Sequence, residues 1–161
     1  INFAPTREWM MTFGTSYNHT EIKDPNLAVA PCGGGCTVLD PIGPNGALVN
    51  GNSLPHAPEW IFNGIIDYRR AVGGGEFIGL LDMAYSSEKQ FFLYESEEFR
   101  SDSFEVGMRF GYGWQNRYEL ALFGRNVTDE EIVQNGIDFN NLTGMMNDPR
   151  QWGIELDTRF N

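Results

Sequence analysis

Two cysteines, two histidines and a surplus of carboxylates are the residues of this chain whose types could do chemistry. Cys32 and Cys36 bracket Gly33-Gly34-Gly35. Three glycines let the backbone curl, so the sulfurs can meet as a disulfide if the chain matures in an oxidising compartment. A metal centre would want four ligands, and only His19 and His56 lie nearby in sequence. Those two histidines could in principle hold haem or a metal chelate, although lone loop histidines are usually just solvated. Two acidic runs, Glu95 to Glu98 and Asp129 to Glu131, fit either calcium bridging or a plainly solvated surface. The remaining charges of interest are Asp67, Asp82, Glu105, Arg109, Glu119, Arg125, Glu155, Asp157 and Arg159. They are too many and too scattered for an acid–base pair, and mixed signs suit ion pairing better. No Ser/His/Asp set, phosphate-binding glycine loop or paired catalytic carboxylates stands out. The expectation is a protein that is no enzyme and carries no cofactor.

The elements that must position these residues are written in the aromatics. Five nine-residue blocks carry one at each end: Trp9–Tyr17, Trp60–Tyr68, Phe77–Tyr85, Phe104–Tyr112 and Trp152–Phe160. On a β-strand, residues eight apart share a face and lie about 26 Å apart at a rise of ~3.3 Å per residue. A tilt of ~40° brings the vertical separation to roughly 20 Å, near the spacing of the two aromatic girdles of a membrane barrel. Positions between each pair on the aromatic face, such as Phe62, Ile66, Leu81, Met108, Ile154 and Leu156, carry no charge. Asp67, Asp82, Glu105, Arg109, Glu155, Asp157 and Arg159 all fall on the alternate positions. A charge on a lipid face costs ~2–4 kcal/mol at the bilayer midplane, whereas a wet lumen tolerates it. Slipping the register by one residue would drive every one of those charges into lipid, so the register is strongly fixed. A soluble antiparallel sheet with one face on a core would also alternate. It would not place Trp, Tyr and Phe at both ends.

Composition agrees. No window approaches the ~18 uninterrupted apolar residues of a membrane helix, and mean hydropathy is −0.35; barrel strands give a much weaker signal. A net charge of −11 argues against nucleic acid, since no basic stripe is present to neutralise phosphates. Strands are expected near 8–18, 59–70, 76–87, 102–113, 117–127 and 150–160, each pairing with its neighbour in sequence. The fifth, starting at Tyr118 with Leu120 and Leu122 outward and Glu119 and Arg125 inward, lacks the second aromatic. Ile1 to Ala4 read as the tail of a preceding strand, before a turn at Pro5-Thr6-Arg7. The connections alternate: long at 19–58, tight at Gly73-Gly74-Gly75, long at 87–103, short at 113–116 and long at 127–149. Outer-membrane barrels combine short periplasmic turns with longer extracellular loops. That orders the strands and sets the C-terminus in the periplasm of a Gram-negative cell, with the long loops outside. Three Asn-x-Ser/Thr triplets begin at Asn18, Asn126 and Asn141; Asn126 fits best as a strand-end turn residue.

Three stretches carry a family resemblance. Tyr118-Glu119-Leu120-Ala121-Leu122-Phe123-Gly124-Arg125-Asn126-Val127-Thr128-Asp129-Glu130 resembles the penultimate strand of TonB-dependent outer-membrane receptors, which ends in an Asn-apolar-x-Asp motif. Asn147-Asp148-Pro149-Arg150-Gln151-Trp152-Gly153-Ile154-Glu155-Leu156-Asp157-Thr158-Arg159-Phe160 is similar to their last strand, where Pro-Arg-x-x-Gly leads to a terminal aromatic. Gly51-Asn52-Ser53-Leu54-Pro55-His56-Ala57-Pro58-Glu59-Trp60 looks like a loop-to-strand entry of the same family. The resemblance implies an all-β, antiparallel transmembrane barrel of 22 strands with an N-terminal plug, of which residues 1–161 supply about six C-terminal strands. Six strands cannot close, and an open sheet would not survive in hydrocarbon. The chain is therefore expected to be part of a longer receptor, an expectation that its start without Met or leader also suits. The implied function is energised uptake of a scarce nutrient such as a siderophore-iron complex. Implied partners are the rest of the barrel and its plug, the TonB complex through a missing N-terminal region, outer-membrane lipid and a small nutrient ligand. A passive porin-type channel would share the girdles, and a soluble antiparallel β-sheet binding module would share the alternation.

Overall fold

The computed structural model describes residues 1–138 and 141–159. Its elements are β1 (Asn2–Phe3), β2 (Trp9–Tyr17), β3 (Ala28–Val29), β4 (Ile42–Gly43), β5 (Gly46–Leu48), β6 (Trp60–Val72), β7 (Gly75–Gln90), β8 (Arg100–Trp114), β9 (Tyr118–Arg125), β10 (Val133–Asp138), β11 (Leu142–Met146) and β12 (Gln151–Thr158). No helix occurs among the described residues. Seven strands form one antiparallel sheet in the order β1-β2-β6-β7-β8-β9-β12, with β1 and β12 at its open edges. Every neighbour in the sheet follows its partner in sequence once the loops are set aside. This is the meander expected from the six strands read in the sequence, extended by Asn2–Phe3 against Met11 and Thr12.

The register confirms the sharing of faces that the alternation requires. Phe13 lies opposite Gly64, Gly64 opposite Met83, and Met83 opposite Val106. Phe110 lies opposite Leu122, and Leu122 opposite Ile154. Directly paired residues project from the same side of a sheet, so these apolar positions form one surface. Along it the aromatics make two rows. Trp9, Tyr68, Phe77 and Tyr112 follow one end of the strands; Tyr17, Trp60, Tyr85, Phe104 and Trp152 follow the other. Ring centroids are 4.5 Å apart for Trp9 and Tyr68 and 4.7 Å for Tyr17 and Trp60. Phe160, expected in the first row, lies outside the described residues.

Turn chemistry sets the short connections. Val72 pairs with Gly75, leaving Gly73 and Gly74 as a two-residue loop with φ of +57° and +84°. Positive φ at both positions is what a tight hairpin matched to strand twist demands, and glycine meets it without steric cost.

At the opposite end the chain departs from expectation. β7 runs to Gln90 and β8 begins at Arg100, so the loop expected over 87–103 shrinks to 91–99, with a register shift between Ser86 and Lys89. The two other long connections hold structure of their own: a three-stranded sheet β3-β5-β4 and a hairpin β10-β11. The buried apolar cluster of the molecule also lies here. Ala47, Val49, Phe91, Tyr94 and Phe99 are buried together, with Ile22, Leu27, Val29, Val38 and Val133 packed around them. Loop residues have collapsed on a core separate from the sheet, and we call this unit the cap.

Candidate functional site: the charged face and the cap

Between the aromatic rows, alternation puts the charges of the sheet on the side opposite the aromatics, where neighbours on the same or the adjacent strand pair most of them; Arg70, opposite Phe77, lies past the row on the aromatic side. Arg109 of β8 donates to Glu119 of β9 at 2.6 Å and to Glu155 of β12 at 2.9 Å. Arg125 reaches across to Asp82 at 3.2 Å, and Arg69 to Asp67 at 3.0 Å. Glu105 accepts from Asn147 at 3.1 Å, which ties the third long loop to the charged face. Asp157 and Arg159 line a cleft of ≈ 510 Å³ at the tight-turn end, together with Arg69, Glu76, Arg109 and Glu119. All nine residues expected to face inward therefore share one side, and most are engaged with an opposite charge.

Two glycines of β8 make room for these pairs. A Cβ on Gly107 would stand 2.6 Å from Asp82 Oδ1 and 2.9 Å from an Arg125 nitrogen. One on Gly111 would stand 2.8 Å from Glu119 Oε1 and 3.3 Å from an Arg109 nitrogen. The order Gly107, Arg109, Gly111 thus alternates seat and charge on one face. The three residue types were legible in sequence, but the seating role was not, because it depends on which side chains arrive from neighbouring strands.

The opposite face is apolar and open. Ile154 is 76% exposed and Leu156 64%, as open as the Arg125 side chain at 64% and more so than Arg109 at 24%. An uncharged surface with such large apolar residues in the open is a patch that a water-facing sheet seldom presents.

Local anchors hold the cap over the long-loop end. Cys32 and Cys36 are joined as a disulfide with their Cα atoms 6.2 Å apart, and both pack against the buried cluster. Joined sulfurs leave no thiolate for a metal. His56 stacks on Phe91 with ring centroids 5.5 Å apart, and His19 sits 4.0 Å from Glu21, so the histidines do not converge on the cysteines. The loop at 91–99 is stitched to the first long loop: Leu39 N–H donates to Glu95 O, Glu97 N–H to Thr37 O, and Val38 bridges Ser96. Asp40 gathers Glu95 N–H at 2.7 Å and Asn52 Nδ2 at 3.0 Å. Tyr94 donates to Asp138 at 2.9 Å, which brings in β10.

These contacts tune the loop acids in opposite directions. Burial, reinforced by the Asp138 hydrogen bond, pushes the Tyr94 phenol well above the ordinary tyrosine range. Burial and then the nearby Asp40 charge raise the Glu95 carboxyl. Glu98 accepts from Thr37 N–H at 2.8 Å and Thr37 Oγ1 at 2.9 Å, and the backbone bond chiefly holds its carboxyl low. Of the second acidic run, Asp129 pairs with Arg150 at 2.9 Å. Asn126, at φ +46°, closes β9: its amide donates to Glu130 O and Asp148 O and its oxygen accepts from Glu130 N–H. Sequence reasoning read Asn126 correctly as a turn residue. It missed Tyr94, Asp40 and Asn147, whose partners come from 12 to 55 positions away and leave no local signal.

No family model and no curated protein matches the chain. Among solved structures, it is similar to the ferric yersiniabactin uptake receptor FyuA from Yersinia pestis, with a TM-score of 0.71 at 12% identity. The superposition covers 99% of this chain and 22% of that receptor, so the chain spans about a fifth of its structural relative. At this identity the likeness establishes the fold: an antiparallel sheet of the kind that forms part of an uptake-receptor barrel. That neighbour is a transport receptor and not an enzyme.

Proposed function

We propose that the chain is part of the barrel wall of a TonB-dependent outer-membrane receptor that takes up a scarce nutrient, such as a siderophore-iron complex. The observation that carries the reading is the division of the sheet: two aromatic rows bound an uncharged apolar surface, and the charges between them sit on the other side, most of them in ion pairs. The likeness to an uptake receptor over 99% of the chain supports it at the level of fold.

In this reading the aromatic face meets lipid and the paired charges line the lumen. There they stay hydrated and available to a plug, at little cost compared with the ~2–4 kcal/mol of a lipid-facing charge. The cap stands at the extracellular mouth, and the C-terminus lies in the periplasm. Backbone groups at the open edges β1 and β12 would each cost several kcal/mol in hydrocarbon, so the rest of the barrel completes them.

Transport by the full-length protein tests the function. Cells carrying it should accumulate ferric siderophore only with an intact proton gradient and inner-membrane energy transducer. Accumulation that merely equilibrates and survives collapse of the gradient would indicate the passive channel instead.

A further inference from the structure

β11 is an edge strand that no other strand covers among the described residues, with Gly35 of the first long loop close to Leu142 at its start. Its residues Leu142–Met146 are all exposed, and none is charged or proline. One side pairs with β10, and among the described residues no strand pairs with the other. Free N–H and C=O groups along such an edge template further pairing, which is why exposed edges usually carry charges, proline, bulges or a cover. Leu142, Met145 and Met146 are 52%, 56% and 52% exposed, so apolar surface as well as main chain stands open here.

Connectivity fixes the direction of that edge. β10 leaves β9 and lies towards the β7–β8 loop, where a Cβ on Gly136 would meet the rings of Phe99 and Phe91. β11 leads into β12 through residues 147–150, and Asn147 is anchored to Glu105 of β8. β10 touches β8 without joining its ladder, and Asn147 N–H donates to Ile132 O, so the β10–β11 pair runs on from the β9–β12 pair. Along the chain, the unpaired side of β11 thus follows from the unpaired side of β12.

We propose that β11 receives an added antiparallel strand from this same polypeptide: the loop-end extension of the wall strand that pairs with β12, outside residues 1–161. The inference rests on the barrel reading, in which β12 must have a neighbour. A strand antiparallel to β12 reaches the loop end opposite Gln151, and its continuation beyond the aromatic row runs alongside β11. The likeness occupies 22% of the receptor it resembles, so a barrel of that kind has further strands to supply one. Strand addition of this sort draws affinity from the main chain and selectivity from alternate side chains, and it would cover Leu142, Met145 and Met146. The cap hairpin then belongs to the rim of the wall, and the junction of first and last strands is locked above the membrane as well as within it.

Residue-resolved hydrogen exchange on the full-length protein in outer-membrane vesicles tests this. Consecutive amides of residues 142–146 should all exchange slowly, on the order of 100-fold below unstructured chain. If every second amide of β11 exchanges at the unstructured rate while β12 stays protected throughout, the added strand is absent and the barrel reading stands. Should alternate amides of β12 exchange freely too, the barrel reading fails and the inference with it. A photo-crosslinker at Met145 identifies the occupant. The expected adduct is intramolecular, to a segment contiguous with the strand beside β12; an adduct to a second copy or to another protein overturns the assignment.

Discussion

The wall and the cap are built from one chain by opposite means. In the wall, aliphatic and aromatic side chains are exposed and charges are paired, so its order rests on strand register and on the solvent it meets. In the cap, Ala47, Val49, Phe91, Tyr94 and Phe99 are buried against one another as in a small water-soluble domain. On the barrel reading proposed above the wall meets lipid, whereas the cap carries its own core. Apolar side chains are therefore used in opposite ways in the two regions: Ile154 stands open on the wall, and Phe99 is enclosed in the cap.

Truncating the cap core should separate the regions most strongly. Phe99→Ala removes a ring packed on Phe92 and Gly136, and large-to-small changes of this kind cost about 3–5 kcal/mol. Exchange in residues 19–59 and 91–99 should accelerate while protection of β6 to β9 persists. Equal loss in both would show that wall and cap are one cooperative unit.

Charging the aromatic face should do the converse. Leu156→Arg, at the middle of its block, should cost ~2–4 kcal/mol in a bilayer and lower the yield of folded protein in vesicles. Asp157→Asn, one residue along on the charged face, should fold almost normally. Similar behaviour of the two variants by urea titration would remove the distinction between faces.

Gly107→Ala is expected to be milder. Its methyl displaces the Asp82–Arg125 pair, and exposed ion pairs contribute about 0–1 kcal/mol. The loss should vanish in an Asp82→Asn background, which a double-mutant cycle reads directly.

Two cap acids should respond to pH with opposite signs. A carboxylate held low contributes stability above its unfolded pKa and loses it as pH falls through the folded value. Glu98 behaves so, and Glu98→Gln should loosen the Thr37 contact at neutral pH. Glu95 is held high, so its contribution is full in acid and fades as pH rises through the folded value. Glu95→Gln should therefore firm the cap at neutral pH. Exchange at residues 37–40 and 95–97, followed from acid to neutral pH, checks both.

The smallest effect is expected from reducing Cys32–Cys36. So short a ring constrains the unfolded chain little, and the change should be confined to exchange at residues 30–38. Mass spectrometry of the unreduced protein should show no free thiol.

The wall was almost wholly legible in sequence. Period-two alternation with aromatics eight residues apart gives strand, face and register together, and Trp9, Trp60 and Tyr118 each begin a strand. The cap was not, because neither Tyr94 to Asp138 nor Asp40 to Glu95 follows any local period. A glycine- and proline-rich stretch such as 19–58 reads as loop by composition, yet Ala47 and Val49 within it are fully buried. Tertiary collapse determined those positions, and composition says nothing about which distant loop will arrive. For the charged face, sequence supplied the membership and the structure supplied the partners.

The central claim is that the aromatic face meets lipid and the charged face meets water. Spin labels at Leu156 and Glu155 of the full-length protein in bilayers test it most directly, by collision with oxygen, which partitions into lipid, and with a water-soluble nickel chelate. The account predicts high oxygen and low nickel access at Leu156, with the ratio reversed at Glu155. Ready nickel access at Leu156 would contradict it.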